Sequence, residues 1–318
     1  MTIAGGGEPI GTRIVFMGTP DFAVPSLECL VGHGYEVAAV VTVPDKPRGR
    51  GREVLPSPVK QKAAELGLRV LQPPSLNAPD FVGQLQELSS EILVVVAFRI
   101  LPKNIYSIPR LGAFNLHASL LPKYRGAAPI QRAIMNGEEI TGLTTFFLEE
   151  KVDTGTIILQ KAVPISDEDD AGILHDRLSV LGADLVLETV QRIEDGSALR
   201  IPQDSSVATP APKILKEDCL IRWDQPARSI RDLIRALSPA PGAYTRHANR
   251  VIKVYRAEIP LDVRDIPPGE VLLGGRRLCV GTGDGALSLI ELQQEGKRRL
   301  RVEEFLRGYK VCSGDRFD

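Results

Sequence analysis

Short apolar runs alternate with amphipathic stretches through the first half of the chain. The apolar runs have strand length and lie at Ile14–Met17, Val37–Val41 and Ile92–Ala97. The stretches with helical spacing of apolar residues lie at Phe22–Val31, Val59–Leu66 and Phe81–Leu88. Continuous apolar strands separated by helices are typical of βαβ units around a buried parallel sheet. The pattern therefore predicts a doubly wound α/β domain that begins at Arg13.

The end of this domain has a different pattern. Two strand-like runs, Thr144–Leu148 and Thr156–Val163, flank the turn Asp153–Gly155. A long stretch with helical periodicity, Ala171–Glu194, follows them and predicts the closing helix of the domain.

Two segments without apolar periodicity set the domain boundaries. Residues 1–12 are Gly-rich and predict a disordered leader, and residues 197–212 are rich in Pro, Ser, Ala and Thr, as linkers are. We therefore expect a first domain at 13–196 and a second domain at 213–318.

The second domain has the pattern of a small β-barrel. One helical stretch, Pro226–Leu237, precedes four alternating apolar runs separated by Gly-containing turns. These runs are Val251–Ile259, Gly269–Leu273, Leu278–Val280 and Ala286–Leu292. Several short strands with turns between them are typical of barrels.

Composition narrows the class of protein. The chain has 318 residues, of which 43% are hydrophobic, enough for two domains with real cores. No apolar run approaches the roughly 20 residues that span a bilayer, and no signal-peptide pattern opens the chain. We therefore expect a cytoplasmic protein without membrane association.

The cysteines and histidines do not have the spacing of metal ligands. The four cysteines form no C-x-x-C pair, and no two of the four histidines form an H-x-x-x-H or H-x-x-E-H arrangement. We expect neither a bound metal nor a disulfide framework.

Charge is distributed unevenly along the chain. The net charge is −1, yet residues 213–318 contain 20 Lys and Arg against 15 Asp and Glu. A basic C-terminal part is compatible with a polyanionic partner and equally with a merely solvated surface.

The first candidate for catalysis is the pair Asn115 and His117. Residues two apart on a strand face the same side. An amide donor beside an imidazole can stabilise the oxyanion that forms when an amine attacks an acyl carbon, and histidine can carry a proton near neutral pH. The alternative is a satisfied polar pair at the end of a strand.

Asp153 is the second candidate. It opens a Gly-containing turn after a strand, where a carboxylate can orient or charge an imidazole across a cleft, although turns often contain Asp for local reasons. The triplet Asp153–Gly155 also occurs in aspartic proteases, but that chemistry needs two such carboxylates and the chain has one. A nucleotide-binding module is disfavoured because Gly18–Asp21 is not G-x-G-x-x-G.

Two loops contain further candidates. Leu121–Pro129 places Pro, Gly and two cations directly after His117, which is typical of a ligand-binding loop at a sheet edge and also of a plain strand-to-helix connection. Val43–Arg52 contains Lys46, Arg48, Arg50 and Arg52 between Gly and Pro, so it predicts a mobile basic loop and not a helix. Phosphate contacts or simple solubility would explain those cations.

The order and spacing of several motifs resemble the folate-dependent formyltransferase family, from about Arg13 to near the C-terminus. The motifs are Met17–Ala23, Val43–Pro47 with Gly49–Gly51, Pro56–Lys60, Asn115-x-His117-x-Ser119–Pro122, Tyr124–Gln131 and Asp153–Gly155. Two departures lie near the expected folate pocket: Ala118 stands where many relatives have Gly, and the loop 97–102 is one residue shorter than expected.

The resemblance implies a Rossmann-like catalytic domain followed by an OB-like domain that binds tRNA. It implies transfer of the formyl group of 10-formyltetrahydrofolate to the α-amine of initiator methionyl-tRNA. We expect the enzyme to use no metal and to act as a monomer. The residues that it assigns are Asn115, His117 and Asp153 to catalysis, Ser119, Leu120, Leu121 and Pro122 to folate, and Lys46, Arg48, Arg50 and Arg52 to tRNA.

The nearest alternative is a family member that formylates a small amine, such as glycinamide ribonucleotide or an amino sugar. The basic loop, Leu121 and the C-terminal domain argue against it.

Overall fold

The computed structural model describes residues 10–48, 53–262 and 266–318, and the apolar runs of the first half form one seven-stranded sheet. In chain order the strands are β1 Ile10–Gly18, β2 Tyr35–Val41, β3 Lys46–Arg48, β4 Glu53–Leu55, β5 Val70–Leu71, β6 Ile92–Val96, β7 Gly112–His117, β8 Ile140–Phe147, β9 Ile157–Pro164, β10 Ala243–His247, β11 Arg250–Glu258, β12 Val271–Gly274, β13 Arg277–Thr282, β14 Gly285–Gln294 and β15 Leu300–Arg301.

The helices occupy the sequence between these strands. They are α1 Val24–Gly32, α2 Pro58–Glu65, α3 Pro79–Glu87, α4 Lys103–Tyr106, α5 Pro129–Met135, α6 Ala171–Glu194, α7 Ala227–Ala236 and α8 Val302–Gly308. Helix α2 illustrates why a helix begins where it does: the Ser57 hydroxyl accepts a hydrogen bond from the backbone N–H of Lys60 at 3.1 Å, and Pro58 occupies the first turn, where no N–H is needed.

The first sheet has the order β5-β2-β1-β6-β7-β8-β9 and is mostly parallel. Strands β5, β2, β1, β6 and β7 pair in parallel, whereas β8 runs antiparallel to β7. Residues Ile14–Met17 of β1 are fully buried, as a strand covered on both faces should be. The predicted Rossmann-like α/β class is confirmed. Because the strand order reverses between β1 and β6, ligands are expected at the carboxyl ends of the central strands.

The chain divides into two compact units whose boundaries interleave along the sequence. The first comprises Met1–Gly126, Gly142–Val163 and His175–Pro210, and the second comprises Ala127–Thr141, Pro164–Leu174 and Ala211–Asp318. Two segments of the second unit therefore come from the range 13–196 that the sequence pattern assigned to the first domain.

The second unit contains an antiparallel sheet of order β10-β11-β14-β13-β12, with β15 beside β14. The C-terminal residues connect its two edges. Arg246 of β10 exchanges two backbone hydrogen bonds of 2.9 Å with Asp318, and the N–H of Val271 in β12 donates to the Asp315 carbonyl at 2.9 Å. Among the described residues, the segment 315–318 thus bonds to both edge strands of this sheet, an arrangement that suits a small barrel.

The predicted long helix Ala171–Glu194 is confirmed, but the apolar pattern did not predict several short elements. Strands β3 and β4, with three residues each, pair within and beside the segment that we predicted as a loop, and β10 and α8 were not predicted. A three-residue strand is too short to show a period. Strand β1 begins at Ile10, inside the predicted leader, and residues 1–9 lie outside the described residues.

In the part of the chain that the structure describes, none of the helices combines the length and the apolar character needed to cross a membrane.

Candidate active site

Strand β7 places Asn115 and His117 on one face of the first sheet. Asn115 pairs with Val95 of β6 and Phe146 of β8, and His117 pairs with Thr144. Between them, Leu116 points to the other face, where its side chain would lie only 2.7 Å from a Cβ added at Gly182 of α6. The alternation of side chains along β7 therefore directs the two polar groups away from that helix.

The imidazole of His117 is 7% exposed and is held by a backbone carbonyl. Its Nε2 lies 2.8 Å from the carbonyl oxygen of Tyr124 and must donate, because a carbonyl can only accept. Nδ1 is therefore the ring nitrogen that this bond leaves available. That nitrogen lies 3.9 Å from Oδ2 of Asp153, a distance that suits an ion pair with the imidazolium and leaves room for a shared ligand group.

The turn at residues 153–155 brings the carboxylate of Asp153 to this point. Asp153 has a backbone φ of +55°, a left-handed conformation that Asp tolerates better than most residues, and Oδ2 accepts a 2.9 Å hydrogen bond from the N–H of Gly126. At Gly155 a Cβ would lie 1.7 Å from the carbonyl oxygen of Phe147. Only glycine fits there, so the path of the chain requires Gly155.

Asn115 completes the group of three. It is half-buried, and among the described residues its carboxamide makes no hydrogen bond. A carboxamide in that condition retains both N–H donors for a ligand.

The segment Ser119–Pro122, predicted to bind folate, follows β7 directly and is held by hydrogen bonds to neighbouring protein groups. The Ser119 hydroxyl donates to the Lys123 carbonyl at 2.6 Å, and the Leu121 N–H donates to the Thr144 hydroxyl at 3.1 Å. The side chains of Ser119 and Leu121 are buried, whereas Leu120 and Pro122 are half-buried. The first two therefore shape this loop, and the second two offer surface to a ligand.

Gln203, which lies in the predicted linker, contacts the candidate site and was not predicted from the sequence. Its Nε2 donates to the carbonyl oxygens of Asp153 at 3.0 Å and Gly155 at 2.8 Å. Its Oε1 accepts from Nε and Nη2 of Arg125 at 3.1 and 2.7 Å. Arg125 belongs to the loop that the sequence singled out, but no local signal marked Gln203.

The basic loop predicted to bind tRNA is described only in part. Lys46 and Arg48 lie in β3, while Arg50 and Arg52 lie outside the described residues. Just before β3, the Asp45 carboxylate receives hydrogen bonds from Nζ of Lys60 at 2.5 Å and Nε2 of Gln72 at 2.8 Å. The bonds from Lys60 and then Gln72 hold the pKa of Asp45 below its ordinary value.

A cavity of about 560 Å³ lies beside the loop 97–102 of the first unit. Its polar lining includes Asn77, Arg99, Lys103 and Glu150. The guanidinium of Arg99 donates to the carbonyls of Pro73 and Pro74 and lies 5.2 Å from the centre of the Phe98 ring. Burial lowers the pKa of Arg99.

Among the described residues, no three or more His, Cys, Asp and Glu side chains gather as they would around a metal ion.

Two models of known protein families match the chain. A model of the formyl transferase family matches residues 12–190, and a model of the formyl transferase C-terminal domain matches residues 213–310. The chain belongs to the formyl transferase family. The three candidate catalytic residues of this formyl transferase all lie within the range matched by the first model.

Two relatives match this formyl transferase over nearly the whole of both chains. The chain is 50% identical over 305 residues to the methionyl-tRNA formyltransferase of Pelotomaculum thermopropionicum, covering 95% of this chain and 97% of that protein. It is 47% identical over 309 residues to the methionyl-tRNA formyltransferase of Bacteroides fragilis, covering 94% and 95% of the two chains.

A solved structure agrees with the fold of this formyl transferase. The N-formyltransferase from Helicobacter canadensis, in complex with folinic acid and dTDP-3-aminofucose, superposes with a TM-score of 0.68 at 20% identity, covering 89% of this chain and 99% of that one. At this identity the likeness concerns the fold alone.

Proposed function

We propose that this enzyme transfers the formyl group of 10-formyltetrahydrofolate to the α-amine of initiator methionyl-tRNA, which gives N-formylmethionyl-tRNA for the start of translation. The observation that carries the proposal is the 3.9 Å approach of His117 and Asp153, with Asn115 on the same strand face. It occurs in a chain that is 50% identical, over nearly its whole length, to a methionyl-tRNA formyltransferase.

The three side chains suit attack by an amine on a formyl carbon. A free α-amine has a pKa of about 7.7–8.0, so a useful fraction is neutral at working pH. A C–N bond forms between that amine and the formyl carbon, and the carbonyl oxygen becomes an oxyanion. The carboxamide of Asn115 and the Nδ1–H of protonated His117 stabilise this charge, and the Asp153 carboxylate lies 3.9 Å from Nδ1, where it pairs with the imidazolium.

Collapse of the tetrahedral intermediate breaks the bond between the formyl carbon and N10 of the folate. The attacking nitrogen loses one proton, and N10 gains one, with His117 or a water molecule as the carrier. The exchange balances without a covalent enzyme intermediate and without a metal.

In this proposal the folate donor binds against the segment Ser119–Pro122, which follows β7. Leu120 and Pro122 provide apolar surface, and Ser119 and Leu121 hold the backbone of the segment through buried contacts. We assign the donor to this segment because it begins two residues after His117, where the formyl group must lie.

We assign the binding of tRNA to basic side chains in two parts of the chain. Lys46, Arg48, Arg50 and Arg52 lie in one short segment, and residues 213–318 have an excess of basic side chains. Such cations neutralise phosphates without reading sequence. We further propose that the enzyme acts as a cytoplasmic monomer.

The acceptor is tested by comparing initiator methionyl-tRNA with glycinamide ribonucleotide and a nucleotide-linked amino sugar, each with 10-formyltetrahydrofolate. We expect labelled formyl groups on methionyl-tRNA and none above background on the small amines. Faster transfer to a small amine would overturn the choice of acceptor and favour the alternative member of the same family.

A further inference from the structure

The carboxamide of Gln203 has its whole hydrogen-bonding capacity committed to the proposed site. Its two N–H groups donate to the carbonyls of Asp153 and Gly155, at 3.0 and 2.8 Å, and these carbonyls bracket the turn that carries the Asp153 carboxylate. A carboxamide nitrogen has only two donors, so both are spent on one turn.

Arg125 fixes which way this carboxamide faces. Its Nε and Nη2 both donate to Oε1 of Gln203, at 3.1 and 2.7 Å. Because a guanidinium only donates, the oxygen of Gln203 must face Arg125 and the nitrogen must face the turn.

The three consecutive residues Tyr124, Arg125 and Gly126 hold both members of the His117–Asp153 pair. The Tyr124 carbonyl accepts from His117, the Gly126 N–H donates to the Asp153 carboxylate, and Arg125 reaches the backbone of Asp153 through Gln203. The imidazole and the carboxylate are thus held at their 3.9 Å separation from a single loop.

The segment that contains Gln203 is itself anchored to the first unit. Ile201 exchanges backbone hydrogen bonds of 3.0 and 2.8 Å with Ile157, and the Arg200 guanidinium lies 3.8 Å from the centre of the Phe147 ring. Further along, the Thr209 carbonyl accepts from the N–H of Arg125 at 2.9 Å. The stretch that has a linker's composition is therefore part of the framework of the site.

We infer that Gln203, oriented by Arg125, is a positioning residue that sets the Asp153 carboxylate against His117 for the transfer step. The inference rests on the proposed function. Gln203 acts through Asp153 and contacts no reacting group, so its loss should lower kcat and leave the KM values for both substrates nearly unchanged.

The first test replaces the carboxamide by an apolar group of similar length. Gln203→Met should lower kcat for formylation of initiator methionyl-tRNA by about tenfold or more, since misplacing a reacting group by 1 Å can cost about 100-fold. The matched control is Gln191→Met, which changes an exposed glutamine of α6 and should keep the wild-type kcat.

A double-mutant cycle separates positioning from general stability. If Gln203 acts through the Asp153 carboxylate, Gln203→Met should cost little further activity in an Asp153→Asn background. A purely structural role would lower activity by the same factor in both backgrounds, and that result would overturn the inference.

A second variant covers the case in which Gln203→Met does not fold, as judged by thermal unfolding. Gln203→Glu keeps the length and the pairing with Arg125 but has no donor for the two carbonyls, so it should lose kcat to a similar extent. If wild type formylates methionyl-tRNA and either folded variant matches its kcat, only this inference fails. If folded wild type transfers no formyl group to methionyl-tRNA, the proposed function fails and takes the inference with it.

Discussion

At the scale of single residues, the site depends on side chains whose partners are already fixed. His117 has one nitrogen committed to the Tyr124 carbonyl, and the Asp153 carboxylate is committed to the N–H of Gly126. Asn115 differs, because among the described residues its carboxamide has no hydrogen bond. Its donors are therefore available for a charge that exists only in the transition state.

Asn115→Ala tests this role. Loss of one oxyanion donor typically lowers kcat by roughly 10²–10³-fold, and we expect that loss with a nearly unchanged KM for folate. Steady-state kinetics with initiator methionyl-tRNA measure it. A folded Asn115→Ala protein with the wild-type kcat would remove Asn115 from the proposed mechanism.

Gly155→Ala tests the backbone of the Asp153 turn. The added Cβ would lie 1.7 Å from the Phe147 carbonyl oxygen, so the turn must move, at a cost of about 1–3 kcal/mol or more. We expect a lower midpoint of thermal unfolding and a reduced kcat. Gly83→Ala in α3, where nothing lies within 4 Å of the new Cβ, should leave both unchanged or raise stability slightly. Equal behaviour of the two variants would contradict the steric argument.

At the scale of elements, the base of the basic loop is held by contacts from two other elements. Lys60 of α2 and Gln72, just after β5, both bind the carboxylate of Asp45, which precedes β3. Because the pKa of Asp45 is lowered, the hydrogen bonds to its charged carboxylate contribute fully at pH values above the ordinary carboxyl pKa. This contribution is lost as pH falls through the lowered pKa. The clamp is therefore intact throughout neutral pH.

Lys60→Met should loosen the loop. We expect the pKa of Asp45 to rise towards its ordinary value and the KM for tRNA to rise by about two- to fivefold, the scale of an exposed ion pair, without a change in the KM for folate. Lys62→Met removes the same charge from the same helix but breaks pairs with Glu28 and Glu65, so it should leave the KM for tRNA alone. A similar rise in both variants would show that net charge matters and the clamp does not.

The same elements show how far the sequence could predict the fold and the site. Strands β1 and β6 contain continuous apolar runs and helix α6 has 24 residues with helical spacing, so their apolar patterns were sufficient. From the sequence, the contact between His117 and Asp153 was only a hypothesis, because composition does not determine the conformation of a turn.

Gln203 could not be predicted from the sequence for a physical reason. Its bonds join positions 48 to 78 residues apart and run from a side chain to carbonyls and to a guanidinium. Such contacts leave no period in the sequence, and a Pro-, Ser- and Thr-rich stretch is ordinarily typical of a linker.

At the scale of the whole molecule, each of the two units is built from three separate segments of the chain. Helix α5, in the middle of the sequence, belongs to the second unit, and its Ile130, Ala133 and Ile134 are buried. Removing residues 213–318 would strip away most of the unit in which these residues are buried. Partner binding is therefore better tested on the full chain.

Salt dependence on the full chain tests the assignment of tRNA to the cations. Each neutralised phosphate contributes a slope of about 0.7–0.9 to the fall of log affinity with log salt, so the KM for tRNA should rise steeply with ionic strength and that for folate should not. Arg50→Ala should reduce the slope by about 1. Equal, shallow salt dependence of both KM values would contradict the proposed interface.

The central claim, that Asp153 and His117 form the site of formyl transfer to initiator methionyl-tRNA, is tested most directly by one rate measurement. Labelled formyl groups are followed from 10-formyltetrahydrofolate to the charged tRNA with wild type, Asp153→Asn and Asp195→Asn, which changes an exposed turn aspartate elsewhere in the first unit. We expect rapid transfer by wild type and Asp195→Asn, and a rate at least about 100-fold lower for Asp153→Asn. Equal rates for wild type and folded Asp153→Asn, or no transfer by folded wild type, would contradict the claim.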